Sequence, residues 1–334
     1  MNDQQQFIAY SLPGSTEYLL GTIRKMSPLH SGADIRDFDF VIAPFDKENQ
    51  AGYLVDFSSI AFSPKFSCLP YNTTKTYSSS REAYNKGFRI IQDEISQQQV
   101  AKVVLSRQCF HHMEVTQVYD IFIALKNKYS SAFTYVIHTE QTGTWVGASP
   151  EIVLKNKGNT LLTRAIAGTK STGNKQPWSP KEIEEHRFIE TFYKEVLEKR
   201  GLPYKLSDSH TIAAGNVSHI CSDITLDNSD NLIDLAAVIH PSPALSGFPK
   251  CAAMKLIDVV EPHKRTLYGG YLGPIKPNLQ WFANIRCMEI FKNGLLLHVG
   301  GGITARSQLE SEWEETELKS ETLLSVIREL ESVI

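Results

Sequence analysis

Glu312 and Glu315 stand three residues apart in a stretch, Glu310 to the end of the chain, whose apolar spacing predicts a helix. They share one face of that helix, with Lys319 a further turn along it. Glu182 and Glu185 repeat the spacing on a second predicted helix, Ser179 to Arg200, just before His186. Two such carboxylate pairs can converge on a hard divalent cation such as Mg2+, which takes oxygen ligands and keeps several waters. On spacing alone, two solvated helix faces are the simpler account.

Other residues invite similar questions. Lys102 opens an apolar run, Lys102-Val-Val-Leu-Ser106, that reads as a buried strand. Burial lowers a lysine's proton affinity toward the range of a general base; a strand-end lysine reaching solvent is the plainer alternative. Arg286, within Asn284-Ile-Arg-Cys-Met288, carries a guanidinium fork suited to a carboxylate, or to a structural ion pair. His219 and His240 lack an HxxxH partner and fit structural histidines better than metal ligands. The run His298-Val-Gly-Gly-Gly-Ile-Thr304 follows a strand. Its backbone can approach an anionic ligand closely, or simply make a tight turn at the strand's end. It matches neither the P-loop nor the dinucleotide glycine pattern.

The elements that would position these residues mix strands and helices without steady alternation. Helices are predicted over about 81–98, 118–129, 179–200, 231–240, 252–260 and from 310 onward. Strands are predicted at 40–43, 53–55, 102–106, 133–137, 144–147, 152–155 and 161–166. Residues 281–291 and 295–299 read as paired strands around Lys292-Asn-Gly294, and 170–179 as a loop. That arrangement favours α+β over a doubly wound sheet.

The 334 residues are 42% hydrophobic and 21% charged, with formal net charge -3. No basic block marks nucleic acid or an anionic membrane as partner. Five scattered cysteines, with no CxxC pair, argue against zinc ribbons and disulfide frameworks. The first residues carry no signal-peptide pattern, and no apolar run is long enough to span a bilayer. A cytoplasmic enzyme is expected, and a monomer, since no heptad or long apolar patch stands out.

Taken in order, several segments resemble the chorismate-utilising enzymes. They are Lys102-Val-Val-Leu-Ser-Arg107, Gly147-Ala-Ser-Pro-Glu151, Ala167-Gly-Thr169, Glu185-His186, His240-Pro-Ser-Pro-Ala-Leu-Ser-Gly247, Tyr268-Gly-Gly270, Ile285-Arg-Cys287, Gly300-Gly-Gly-Ile303 and Glu312-Trp-Glu-Glu-Thr316 with Lys319. The family includes anthranilate, aminodeoxychorismate, salicylate and isochorismate synthases. The resemblance covers roughly residues 80–334. It implies an α+β fold with two packed antiparallel sheets in the core and helices outside. Residues 81–334 would form the chorismate-binding catalytic region. Residues 1–80 would be a poorly matched N-terminal part of the same fold, from which no functional residue is carried.

The resemblance also implies a site. Mg2+ would be held by Glu185 and Glu315, supported by Glu182 and Glu312. The substrate would meet Arg286, Tyr268, Lys319, Gly168, Thr169, His219, Ala244, Leu245, Ile285 and the backbone of Gly301 and Gly302. Lys102 falls at the base position of the water-using branch, and Glu151 at the position of the acid that protonates the departing C4 hydroxyl. Those roles need opposed shifts in proton affinity. Pro243-Ala-Leu-Ser-Gly247 resembles the isochorismate synthases, whose product serves menaquinone, siderophore or salicylate synthesis according to the downstream enzymes. A salicylate synthase, which goes on to eliminate pyruvate, and a non-catalytic chorismate-binding subunit are the alternatives.

Overall fold

Lys102 to Gln108 is buried on both faces, so this segment has to run through the interior, and the rest of the chain is arranged around it. The computed structural model describes residues 5–60, 78–115, 118–214, 217–229 and 231–331, except the side chains of 169, 214 and 217. The elements run β1 (Phe7–Ser11), β2 (Leu19–Pro28), β3 (Phe40–Ala43), β4 (Tyr53–Ser59), α1 (Arg81–Ser96), β5 (Lys102–His112), α2 (Val118–Lys128), β6 (Phe133–Thr139), β7 (Gly143–Ser149) and β8 (Ile152–Lys157). They continue with β9 (Thr160–Ser171), α3 (Pro180–Lys199), β10 (Tyr204–Leu206), β11 (His210–Ala214), β12 (Val217–Asp227), α4 (Leu232–Ile239), β13 (Gly247–Phe248) and α5 (Lys250–Val260). The chain ends with β14 (Tyr271–Pro274), β15 (Gln280–Ala283), β16 (Cys287–Phe291), β17 (Gly294–Thr304) and α6 (Leu309–Glu331).

The expected α+β architecture is observed. Among the described residues every strand pairing is antiparallel, and hydrogen bonds link the strands into one network of 17. One core cluster, with Ile8, Phe40, Tyr135, Trp145, Phe282 and Cys287, draws on strands and the loop before β14 but on no helix. There the sheet packs on itself. The other clusters lie beneath helices: α1 and α5 cover β5 and β17, α2 covers β6 and β7 while α6 packs on β17 and on α2, and α3 and α4 cover β8, β9 and β12. Among the described residues no helix is long and apolar enough to cross a membrane.

Local chemistry explains the elements that carry candidate residues. Ser179 opens α3 with a capping box: its hydroxyl accepts from the Glu182 amide, and Glu182 Oε2 accepts from the Ser179 amide at 2.8 Å. Pro180 follows, where its missing N–H costs nothing. Two expectations need correction. The glycine run does not end a strand but lies inside β17, which pairs with β5 along its whole length, Gly302 opposite Val104. Nor is 281–291 one strand. It breaks at Arg286, whose φ is +50°, and the two halves take different partners: β15 pairs with β8 and β14, β16 with β7 and β17.

Candidate functional site

The cavity enclosed by β5, β9, β17, α3 and α6 has a volume of about 1050 Å³, at the upper end of the range for small-molecule sites. Lys102, Glu151, Gly168, Glu182, Glu185, His219, Ala244, Leu245, Tyr268, Ile285, Arg286, Gly300, Gly302, Glu315 and Lys319 all line it. Segments separated by more than two hundred positions in the chain thus face one volume. Thr169 follows Gly168 in β9, and its side chain lies outside the described residues. Glu312 and Gly301 stand behind the lining: a Cβ on Gly301 would lie 3.2 Å from Glu312 Oε2 and 3.9 Å from Glu315 Oε1.

β5 presents Lys102, which is 4% exposed, and β17 lies against it. A Cβ on Gly302 would come within 2.6 Å of Lys102 Cε, so glycine is what lets the lysine lie across the neighbouring strand. Gly300 makes similar room for the Tyr268 hydroxyl, 2.9 Å from where its Cβ would be. Glu151 ends the turn after β7. Protein encloses its carboxyl, and burial pushes its pKa up to about 7 against the pull of Lys102, Arg286 and Lys319. An acid so poised holds its proton near neutrality and can give it up.

Arg286 and Lys319 bring further positive charge to the cavity. Burial works against the Arg286 charge, a cost that a carboxylate entering the cavity would offset. Lys319 Nζ donates to the Gly300 carbonyl at 2.8 Å and pairs with Glu315 Oε1 at 2.7 Å. His219 Nδ1 lies 2.7 Å from the Gly168 carbonyl. As the Nδ1–H donor, the ring would turn Nε2 to the cavity. Burial, with Arg286 and Lys319, holds its pKa below the ordinary value despite that bond. Gly168 itself has φ +66°, with Glu182 and Trp178 carbons within 3.3 Å of any Cβ.

Glu185 on α3 and Glu312 and Glu315 on α6 all act on the ammonium of Lys181. Glu312 is 2% exposed, and its Oε2 is buried without a hydrogen-bond partner. Its Oε1 lies 3.1 Å from Lys181 Nζ. Burial works against the Lys181 charge, yet Glu312, Glu185 and Glu315 raise its proton affinity above that of an ordinary lysine. Burial likewise opposes the charge of Glu315, but Lys319, Lys181 and Lys102 hold its pKa below the usual carboxylate range. Glu185, Glu312 and Glu315, one of them with an orphaned buried oxygen, have the oxygen chemistry that suits a hard divalent cation. Glu182 lies beside them with one oxygen engaged in its capping box.

The site needs supports that the sequence did not single out. Arg107, 4% exposed, donates to Thr316 Oγ1 at 2.7 Å and to Glu317 Oε1 at 2.6 Å, and its guanidinium lies 4.0 Å from the centre of the Trp313 ring. It fixes α6 against β5. Arg265 holds the carbonyls of Leu245 and Val104 and pairs with buried Glu261. His298 stacks on Tyr268 with ring centres 5.4 Å apart. Their signal in sequence was position alone: Lys181 precedes the Glu182 pair, and His298 precedes the glycines. His186 turns away toward Ser222 and Glu190, and buried His240 meets the Gly269 carbonyl at 2.9 Å; both are structural. Among the described residues the group of three whose ligand atoms lie within 4.8 Å of one another is His210, Cys221 and Asp223, where Arg164 already neutralises Asp223 at 2.8 Å; the glutamate oxygens at the cavity stand further apart than that.

The family model for chorismate binding enzymes matches residues 53–325. The chain belongs to the chorismate binding enzyme family. Isochorismate synthase EntC of Escherichia coli is 30% identical over 246 residues, covering 68% of this chain and 62% of the relative. Anthranilate synthase component 1 of Neisseria meningitidis serogroup B is 34% identical over 197 residues, 54% of this chain and 40% of the relative. The chain thus spans less than two thirds of either relative's length. Among solved structures, MenF, the menaquinone-specific isochorismate synthase from Escherichia coli, superposes with TM-score 0.79 at 17% identity over 97% of this chain and 89% of that one. That likeness concerns the fold. In this chorismate binding enzyme the family match takes in β4 through most of α6, and every residue that lines the cavity from Lys102 onward falls within it.

Proposed function

We propose that this chain is a magnesium-dependent isochorismate synthase. The observation that carries the reading is the pairing, in one enclosed cavity, of a buried lysine with a carboxylic acid whose pKa is pushed to about 7. Lys102 takes a proton from water as its oxygen bonds to C2 of chorismate. The ring double bonds shift, the C4–O bond breaks, and Glu151 protonates the departing hydroxyl, which leaves as water. One water enters and one leaves, so substrate and product are isomers. Arg286, Lys319, Tyr268 and the backbone at Gly301 and Gly302 would bind and orient the substrate carboxylates, with Gly168, His219, Ala244, Leu245 and Ile285 shaping the ring's pocket. Glu185, Glu312 and Glu315 would hold Mg2+, with Glu182 beside them; the ion, when bound, anchors a substrate carboxylate and offsets its charge.

The test is incubation of the purified protein with chorismate, with and without Mg2+, followed by chromatography and a pyruvate assay. A Mg2+-dependent product of unchanged mass and new retention, without pyruvate, is expected. Stoichiometric pyruvate with salicylate would move the assignment to a salicylate synthase. Unchanged chorismate under both conditions would leave a binding subunit.

A further inference from the structure

Nothing in the proposed reaction uses Lys181, yet it stands amid the carboxylates. Its Nζ meets Glu312 Oε1 at 3.1 Å and ties α3 to α6 across 131 positions of chain. The Glu312 side chain is 3% exposed and its second oxygen has no hydrogen-bond partner, so that ammonium is the one counter-charge at bonding distance from it among the described residues. A buried carboxylate stripped of its partner is strongly destabilising. Lys319 plays the corresponding part for Glu315. Of the three charges on Glu185, Glu312 and Glu315, two are therefore already matched, and a divalent ion approaching the free enzyme meets a nearly neutralised site and a competing ammonium.

We propose that Lys181 is the resident counter-cation of this metal site. It keeps the carboxylates assembled when no divalent ion is bound, and it competes with the ion for Glu312. The metal is thereby held weakly until a substrate carboxylate adds its own charge, which couples metal binding to substrate binding. This rests on the reading that Glu185, Glu312 and Glu315 hold Mg2+.

The experiment is calorimetric titration of Mg2+ into wild type, Lys181→Gln and Lys181→Arg, with and without chorismate. Removing a unit charge next to a divalent ion is expected to tighten Mg2+ binding to the substrate-free Lys181→Gln enzyme by about tenfold, while Lys181→Arg stays near wild type. The melting temperature of Lys181→Gln should fall below wild type in chelator and recover with Mg2+. A merely structural lysine would not make metal binding tighter when removed. Mg2+ affinity unchanged or weaker in Lys181→Gln, with wild type still binding the ion, overturns the inference alone. A wild type that binds no Mg2+ even with chorismate removes the metal reading and this inference with it. If Lys181→Gln folds only with Mg2+, chelator competition on protein purified with the ion supplies the comparison.

Discussion

Glu151 and Lys102 face one cavity, and their difference in environment can be read in solution. In the proposed reaction Glu151 must carry its proton to act, so with a pKa near 7 activity is expected to fall as pH rises through neutrality. Glu151→Gln should lose turnover by 10²- to 10⁴-fold and lose that limb of the pH profile. The same shift bears on stability. The folded protein binds the Glu151 proton up to about pH 7, whereas an unperturbed carboxyl releases it near 4.5. Between those values the native state holds more protons than the unfolded one, so stability falls as pH rises and the cost is fully developed above 7. Glu151→Gln should therefore be the more stable protein at pH 8, by roughly 3 kcal/mol; equal denaturant midpoints for the two at pH 8 would contradict the burial of this acid. For Lys102→Ala, loss of turnover with chorismate binding retained is expected by calorimetry, and full activity would end its assignment as base.

β5 presents Lys102 and β17 lies against it, and these two elements show what could be read from sequence. The apolar run after Lys102 declared a buried strand, and Ser179-Pro180 declared the start of α3 through local hydrogen bonding. The glycines of β17 did not declare themselves as strand, because glycine has low strand propensity. Their reason lies in other segments, the Tyr268 hydroxyl and the Lys102 chain that occupy the space a Cβ would fill. Lys181 was hidden for the same kind of reason: its partner is 131 residues away. The break at Arg286 was hidden too, since an apolar run looks continuous until its halves find different partners. The carboxylate pairs were legible as helix faces, but spacing cannot say which faces meet. Gly302→Ala tests the element directly. Its new Cβ would meet the flexible end of Lys102 at 2.6 Å rather than backbone, so the protein should fold while the lysine is pushed aside. A displacement of that order is expected to lower kcat about 100-fold with little change in melting temperature. Undiminished kcat would show that Lys102 has room to spare.

At the scale of the molecule, the question is whether the first strands, outside the family match, are part of the same cooperative unit as the site. The pairings argue that they are. β1 lies between β2 and β6, with Ile8 opposite Gly21 on one side and Ile137 on the other, and β3 pairs with β14. Ile8 is 0% exposed and shares its core with Phe282, Cys287 and the cavity-lining Tyr268. A cavity cut at Ile8 should therefore be felt by the whole sheet. Ile8→Ala is expected to cost about 2–5 kcal/mol and to lower a single unfolding midpoint. Trp145 and Trp281, buried in the matched region, report that region by fluorescence, while far-UV circular dichroism reports all strands. Coincident transitions by both probes, shifted together in Ile8→Ala, are the expected result. An early circular-dichroism transition that leaves tryptophan fluorescence unmoved would instead mark the N-terminal strands as a separate unit. The site's geometry would then owe nothing to them, and Tyr268 would keep its place when the core it shares with Ile8 is cut.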